Sequence, residues 1–166
     1  MRYIVLGKTE LKEELFNKDL TNNGINKPKG GLWSSPYNKD TISGWYQFCK
    51  EENFVKADNT VGVIFTLKEE ARVYTIDSKE DLDNLVNKYP NDVLEILKER
   101  AGLNFIAVSK DYDAIYLTDK GQWATRFSQP NTLYGWDCET LLVLNFNAID
   151  LDSMEKYKEE KVRLEY

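Results

Sequence analysis

Short apolar runs closed by turn residues recur along the whole chain, and they constrain its fold more than any other feature. "RYIVLG" (2–7), "GLWSS" (31–35), "VGVIFTL" (61–67), "ARVYTID" (71–77), "NFIAVSK" (104–110), "DAIYLTD" (113–119) and "ETLLVLN" (139–145) carry β-branched and aromatic residues and stop at Gly, Pro, Asn, Asp or Lys. They predict six or seven strands, with 61–67 and 71–77 joined by the polar turn "KEE", and with 104–110 and 113–119 pairing around Asp111. None approaches the ~20 apolar residues of a membrane span. The start, "MRYIVLGK", lacks a signal peptide's apolar region. A cytoplasmic monomer without a membrane partner is the expectation.

Helical signals fall mostly in the first two-thirds. Residues 9–21 place Leu11, Leu15 and Leu20 at loosely helical spacing behind Thr9. Residues 41–49 put Ile42, Trp45, Tyr46 and Cys49 on one face. "SKEDLDNLVNKY" opens on a capping box, Ser78 with Asp81, and "NDVLEILKERAG" is expected to form a second helix from Asn91 to Gly102. The charged tail from Asp152 is expected to be helical in part. Strands interspersed with helices in this order indicate an α+β fold, not a doubly wound sheet, in one domain spanning 1–166. A chain of 166 residues buries roughly 70% of its unfolded surface on folding.

The chain has no histidine, so Ser-His-Asp and Cys-His catalysis and His-containing zinc sites are excluded. Its two cysteines, Cys49 and Cys138, make neither a disulfide framework nor a four-cysteine site and are expected to be reduced. Acid–base work falls to carboxylates, Lys or Tyr. The pairs Asp111/Asp113 and Asp150/Asp152 lack calcium-loop spacing and read as solvated turns. A net charge of −6 argues against a general phosphate-binding surface, while leaving room for a local basic pocket. Phosphate loops and Gly-x-Gly-x-x-Gly are absent from the sequence.

Two stretches carry the remaining chemistry. "KPKGGLWSSPY" sets a glycine turn before Trp33, Ser34, Ser35 and Tyr37, and Trp45 follows in "SGWYQFC". The plainer reading is a turn at Gly30 and Gly31 with Trp33 in the core. "WDCETLLVLN" sets Asp137 and Glu139 two apart where a strand begins, which on an extended strand points both side chains to one face. The plainer reading there is an exposed strand edge.

The order of these pieces resembles the mono-ADP-ribosyltransferases of the Arg–Ser–Glu class: an early strand with Arg, a Gly-aromatic-Ser strand, a Trp-bearing helix, and acid-x-Glu at the head of a late strand. "GGLWSSPYNKDTISGWYQFC" is similar to the Gly-Phe-Tyr-Thr-Thr segment and following helix of bacterial members, and the likeness spans residues 2 to about 150. The resemblance implies a split β-sandwich with flanking helices and a glycosyltransferase reaction with NAD as substrate and no metal. In it, Arg2 grips the phosphates and Gly31 lets the backbone approach the nicotinamide amide. Trp33, Tyr37 or Trp45 stacks on the ring, and Ser34 or Ser35 anchors the ribose. Glu139 stabilises the developing cation, and Asp137 handles the acceptor. Asp137 stands where the family has Glu or Gln, which leaves the acceptor open between protein and nucleic acid. Arg72 and Arg126 are alternatives to Arg2. An effector or toxin from a bacterium or phage would act in the cytoplasm of the producing cell or of a host. Two further readings stay open: a catalytically silent binding or inhibitor protein with an aromatic cleft, and a carboxylate-pair glycoside hydrolase.

Overall fold

The computed structural model describes residues 1–15, 20–22, 26–54, 61–91 and 102–159. In chain order these form β1 (Arg2–Leu6), β2 (Leu32–Pro36), α1 (Gly44–Glu51), β3 (Val61–Leu67), β4 (Val73–Ile76), α2 (Lys79–Lys88), β5 (Pro90–Asn91), β6 (Gly102–Leu103), α3 (Phe105–Asp111), β7 (Ala114–Leu117), α4 (Asp119–Thr125), β8 (Thr140–Val143) and β9 (Ile149–Lys158). Seven strands make one mixed sheet in the order β4-β7-β8-β2-β1-β3-β9, and β5 and β6 pair separately. Only β4 and β7 run parallel; the other pairs of the large sheet are antiparallel. The architecture is α+β. None of the helices among the described residues is long and apolar enough to cross a membrane.

The sheet is rolled, and chain length requires it. Six Cα–Cα steps lead from Leu67 to Val73, at most about 22 Å of extended chain, yet β3 and β4 stand five strands apart, roughly 24 Å across a flat sheet. Rolling brings the two halves together around a core of Tyr3, Val5, Val63, Phe65, Ala114, Leu141, Val143 and Ile149. The opposite face of β4, β7 and β8 carries Ile76, Ile115, Leu117, Leu142 and Leu144, covered by Leu82, Leu85 and Val86 of α2 and by Phe105 and Val108 of α3. Alternation along β8 therefore serves two cores at once. The strands at 61–67 and 71–77 exist but do not pair: the "KEE" turn carries the chain from β3, next to the edge strand β9, to β4 at the opposite edge.

Local capping explains the helices. Ser78 Oγ accepts from the Asp81 amide while Asp81 accepts from Ser78 Oγ and the Asp77 amide, a capping box shifted back by one residue. The helix at 41–49 starts later than expected, at Gly44, because Ser43 caps it and Ile42 takes a positive φ of 66°. Residues 104–110, expected as a strand, form α3 instead. Asn104 caps it through Ala107 N at 3.0 Å and also accepts from Asn22 Nδ2, and Phe105 and Val108 bury one side three residues apart. The tail from Asp152, expected as partly helical, is the edge strand β9, paired with β3 around a bulge between Ile64 and Thr66. Within residues 9–21 the described part is a single 3-10 turn, Glu13–Leu15; positions 16–19 lie outside the described residues, as do 92–101 of the expected helix 91–102 and residues 160–166 of the tail.

Candidate functional site

β2 runs through the middle of the sheet between β8 and β1, so its side chains are positioned by both neighbours. Gly30 and Gly31 enter it with positive φ values of 94° and 67°. A Cβ on Gly31 would stand 2.8 Å from the Val143 carbonyl oxygen, so glycine here permits a close backbone approach to β8. Trp33 lies opposite Leu142 and meets Trp136 edge to face at 4.9 Å. Trp136 is itself fixed by its Nε1–H donating to the Asn26 carbonyl at 2.7 Å.

These residues wall a cavity of about 260 Å³ with Ile4, Leu6, Lys27, Ser34, Ser35, Trp45, Asp137, Cys138 and Thr140. Ile4 and Leu6 of β1 form an apolar side, and Trp45 arrives on α1, stacked on Phe48 with ring centres 5.5 Å apart. Gly44 of α1 faces Cys138; a Cβ there would stand 3.4 Å from Cys138 Cβ, an ordinary packing distance. Lys27 Nζ stands 3.3 Å from Asp137 Oδ2 and 5.8 Å from the centre of the Trp33 ring. Ser34 spends its hydroxyl on the Leu141 carbonyl at 2.9 Å, whereas Ser35 Oγ stands 3.9 Å from the Cys138 sulfur. Burial pushes the Cys138 thiol up, which disfavours the thiolate and a nucleophilic role.

Five sequence-selected residues, Trp33, Ser34, Ser35, Trp45 and Asp137, thus meet at one cavity although more than ninety positions separate Trp45 from Asp137. Gly31, Tyr37, Glu139 and Arg2 are not on its wall, and Asp137 reaches it from outside the strand. Asp137, at the end of a 3-10 turn (Tyr134–Trp136) with φ 59°, is not on the strand at all. Glu139 shares the face of Leu141, where it accepts a hydrogen bond from the Tyr116 hydroxyl next to Tyr3. The two acids therefore do not share one face as an uninterrupted strand required. Burial first, and the Glu139 hydrogen bond second, push the Tyr116 hydroxyl well above the usual tyrosine range, so it remains a donor. Arg2 lies off the cavity wall, ion-paired with Glu155 and 5.3 Å over the Tyr37 ring, and Tyr37 in turn meets Tyr157. Of the alternatives to Arg2, Arg72 is held bidentately by Asp113, and Arg126 lies over Phe127 and Tyr134.

Sequence reasoning assigned no role to Lys27, Trp136, Cys138 or Thr140. Lys27 opens the "KPKGGLWSSP" stretch and Trp136 opens "WDCETLLVLN", so proximity in sequence to the chosen residues was the only available signal. The wall thus sets three indoles beside a paired ammonium and carboxylate, groups that can meet an aromatic ring and a charged group. Among the described residues, His, Cys, Asp and Glu side chains form no group of three or more able to hold a metal ion. Comparison with protein-family models, curated proteins and solved structures finds no match to this chain.

Proposed function

We propose that the protein is an NAD-dependent mono-ADP-ribosyltransferase that takes the nicotinamide end of NAD into this cavity. The observation that carries the reading is the convergence of Trp33, Ser35, Trp45 and Asp137 on one aromatic slot beside Lys27. A volume of about 260 Å³ falls just below the range for small-molecule pockets, roughly 300–1,000 Å³, so the slot suits the nicotinamide and part of its ribose, with the rest of NAD outside. Trp33 and Trp45 flank the ring, Ser35 meets the ribose, and Lys27, on the cavity wall beside Asp137, takes the role of phosphate cation that Arg2, off that wall, does not fill.

In the reaction the bond between ribose C1′ and the nicotinamide nitrogen breaks, and its electron pair leaves with nicotinamide, which becomes neutral. The ribosyl cation is captured by the acceptor's nucleophilic atom, whose proton passes to a carboxylate. A carboxylate near C1′ stabilises that cation electrostatically. Asp137 is the acid on the cavity wall. Glu139, two residues on and held by Tyr116, is the acid the sequence pattern favours. The competing reading, a catalytically silent binding protein, is favoured by one specific observation: Glu139 and Arg2 are both engaged away from the cavity.

Release of nicotinamide from NAD, followed by chromatography, tests the proposal. The wild type is expected to release it, and loss in Glu139→Gln or in Asp137→Asn identifies which acid acts. Binding of NAD without any release in the presence of a cell lysate as acceptor source would favour the silent binder.

A further inference from the structure

α4 and the turn that follows it carry an exposed aromatic patch outside the cavity. Trp123, Phe127 and Tyr134 leave 68%, 73% and 55% of their surfaces to solvent, an unusual concentration for a protein that has four tryptophans and seven phenylalanines in all. Phe127 and Tyr134 are in ring contact at 5.6 Å, and the Arg126 guanidinium lies 5.7 and 5.5 Å from their ring centres. Trp123 stands on α4, four residues before Phe127, which lies in the turn just beyond the helix end. Unlike Arg2 and Arg72, Arg126 makes no ion pair among the described residues.

We infer that this patch is a stacking platform for single-stranded nucleic acid, with bases on Trp123, Phe127 and Tyr134 and phosphate on Arg126. An apolar protein partner would cover the guanidinium and leave a buried charge uncompensated, which is costly. A single strand offers a flat π surface and an anion in every nucleotide, matching rings and cation together. With an overall charge of −6, the attraction to phosphate is local to Arg126, and the rings supply the rest of the binding. The patch also leads to the cavity. From Tyr134 the chain passes through Gly135 to Trp136 and Asp137 on the cavity wall, and a Cβ on Gly135 would lie 3.2 Å from the Lys27 stem. Lys27, paired with Asp137, lies along the same path. The inference does not depend on NAD entering the cavity; if NAD does, a strand seated here lies beside the reacting end.

Fluorescence anisotropy with a labelled oligonucleotide of about 12 residues tests it, comparing single strand with duplex. Single strand is expected to bind more tightly than duplex. Trp123→Ala and Phe127→Ala should each weaken binding roughly tenfold, within the range of one lost base stack. Arg126→Gln should lower the salt dependence of log K by about 0.7, the share of one phosphate contact, with folding unchanged by circular dichroism. Lys120→Gln, at a residue paired with Asp77, serves as the control and should bind as the wild type does. No binding, equal binding by the patch variants, or duplex bound as tightly as single strand would overturn the inference. Self-association abolished by Trp123→Ala would overturn it too, assigning the patch to a second copy of the chain.

Discussion

Glu139 and Asp137 are separated by one residue, yet they have different neighbours and call for different tests. Glu139 accepts from Tyr116, and a glutamine can accept the same bond, so Glu139→Gln is expected to keep its melting temperature while nicotinamide release falls roughly 10²–10³-fold if this acid is the electrostatic stabiliser. Asp137→Asn is expected to leave NAD hydrolysis largely in place and to reduce transfer to the acceptor; equal loss in both variants removes the division of labour between them. A third acid, Asp113, is structural. Its carboxylate accepts from Arg72 Nε at 3.1 Å, the Arg72 amide at 2.9 Å and Asn145 Nδ2 at 3.0 Å, joining the segment before β4 to the end of β8. The Arg72 hydrogen bond, more than any other contact, holds its pKa down to about 2. A depressed carboxylate contributes stability above its unfolded pKa, about 3.9, and loses that contribution as pH falls through the folded value. Asp113→Asn should therefore cost about 2 kcal/mol at pH 7 by urea titration, a gap that closes between about pH 4 and pH 2.

At the scale of elements, capping and close approach decide what forms. α4 packs against the end of β4 so tightly that a Cβ on Gly121 would stand 2.0 Å from the Ile76 carbonyl oxygen. Gly121→Ala is expected to destabilise the protein by about 3 kcal/mol in chemical denaturation, although alanine is the better helix former; an unchanged midpoint would contradict the packing described. Removing the α3 cap with Asn104→Ala should cost about 1 kcal/mol in the same measurement. These elements also show where the sequence is legible. β1, β2, β3, β4, β7 and β8 are apolar runs bounded by turn residues, and α2 announces its start through Ser78 and Asp81. α3 hides because Phe105, Ile106, Ala107 and Val108 are contiguous, so neither a period of 2 nor of 3.6 can be read from them. β9 hides because edge strands carry charge on their free side, and "IDLDSMEKYK" takes its strand character from pairing with β3, a tertiary contact. The cavity was legible in part for the same reason. Trp33, Ser35 and Trp45 sit in marked local motifs, whereas Lys27 reaches Asp137 across 110 positions and only the fold brings them together.

For the whole molecule, the rolled sheet places the cavity along β1 and β2, on the face away from the inner core, with α1 and the turn before β8 closing its sides. Three of the four tryptophans, Trp33, Trp45 and Trp136, line it, and the fourth, Trp123, lies on the surface of α4. That distribution makes the central claim directly measurable. In a Trp123→Phe variant all remaining indole emission comes from the cavity wall, so NAD entering the slot must perturb it by stacking. The account predicts saturable quenching on titration with NAD, competed by free nicotinamide. Emission that stays unchanged up to millimolar NAD, in a variant that remains folded, would contradict a nicotinamide site between these rings.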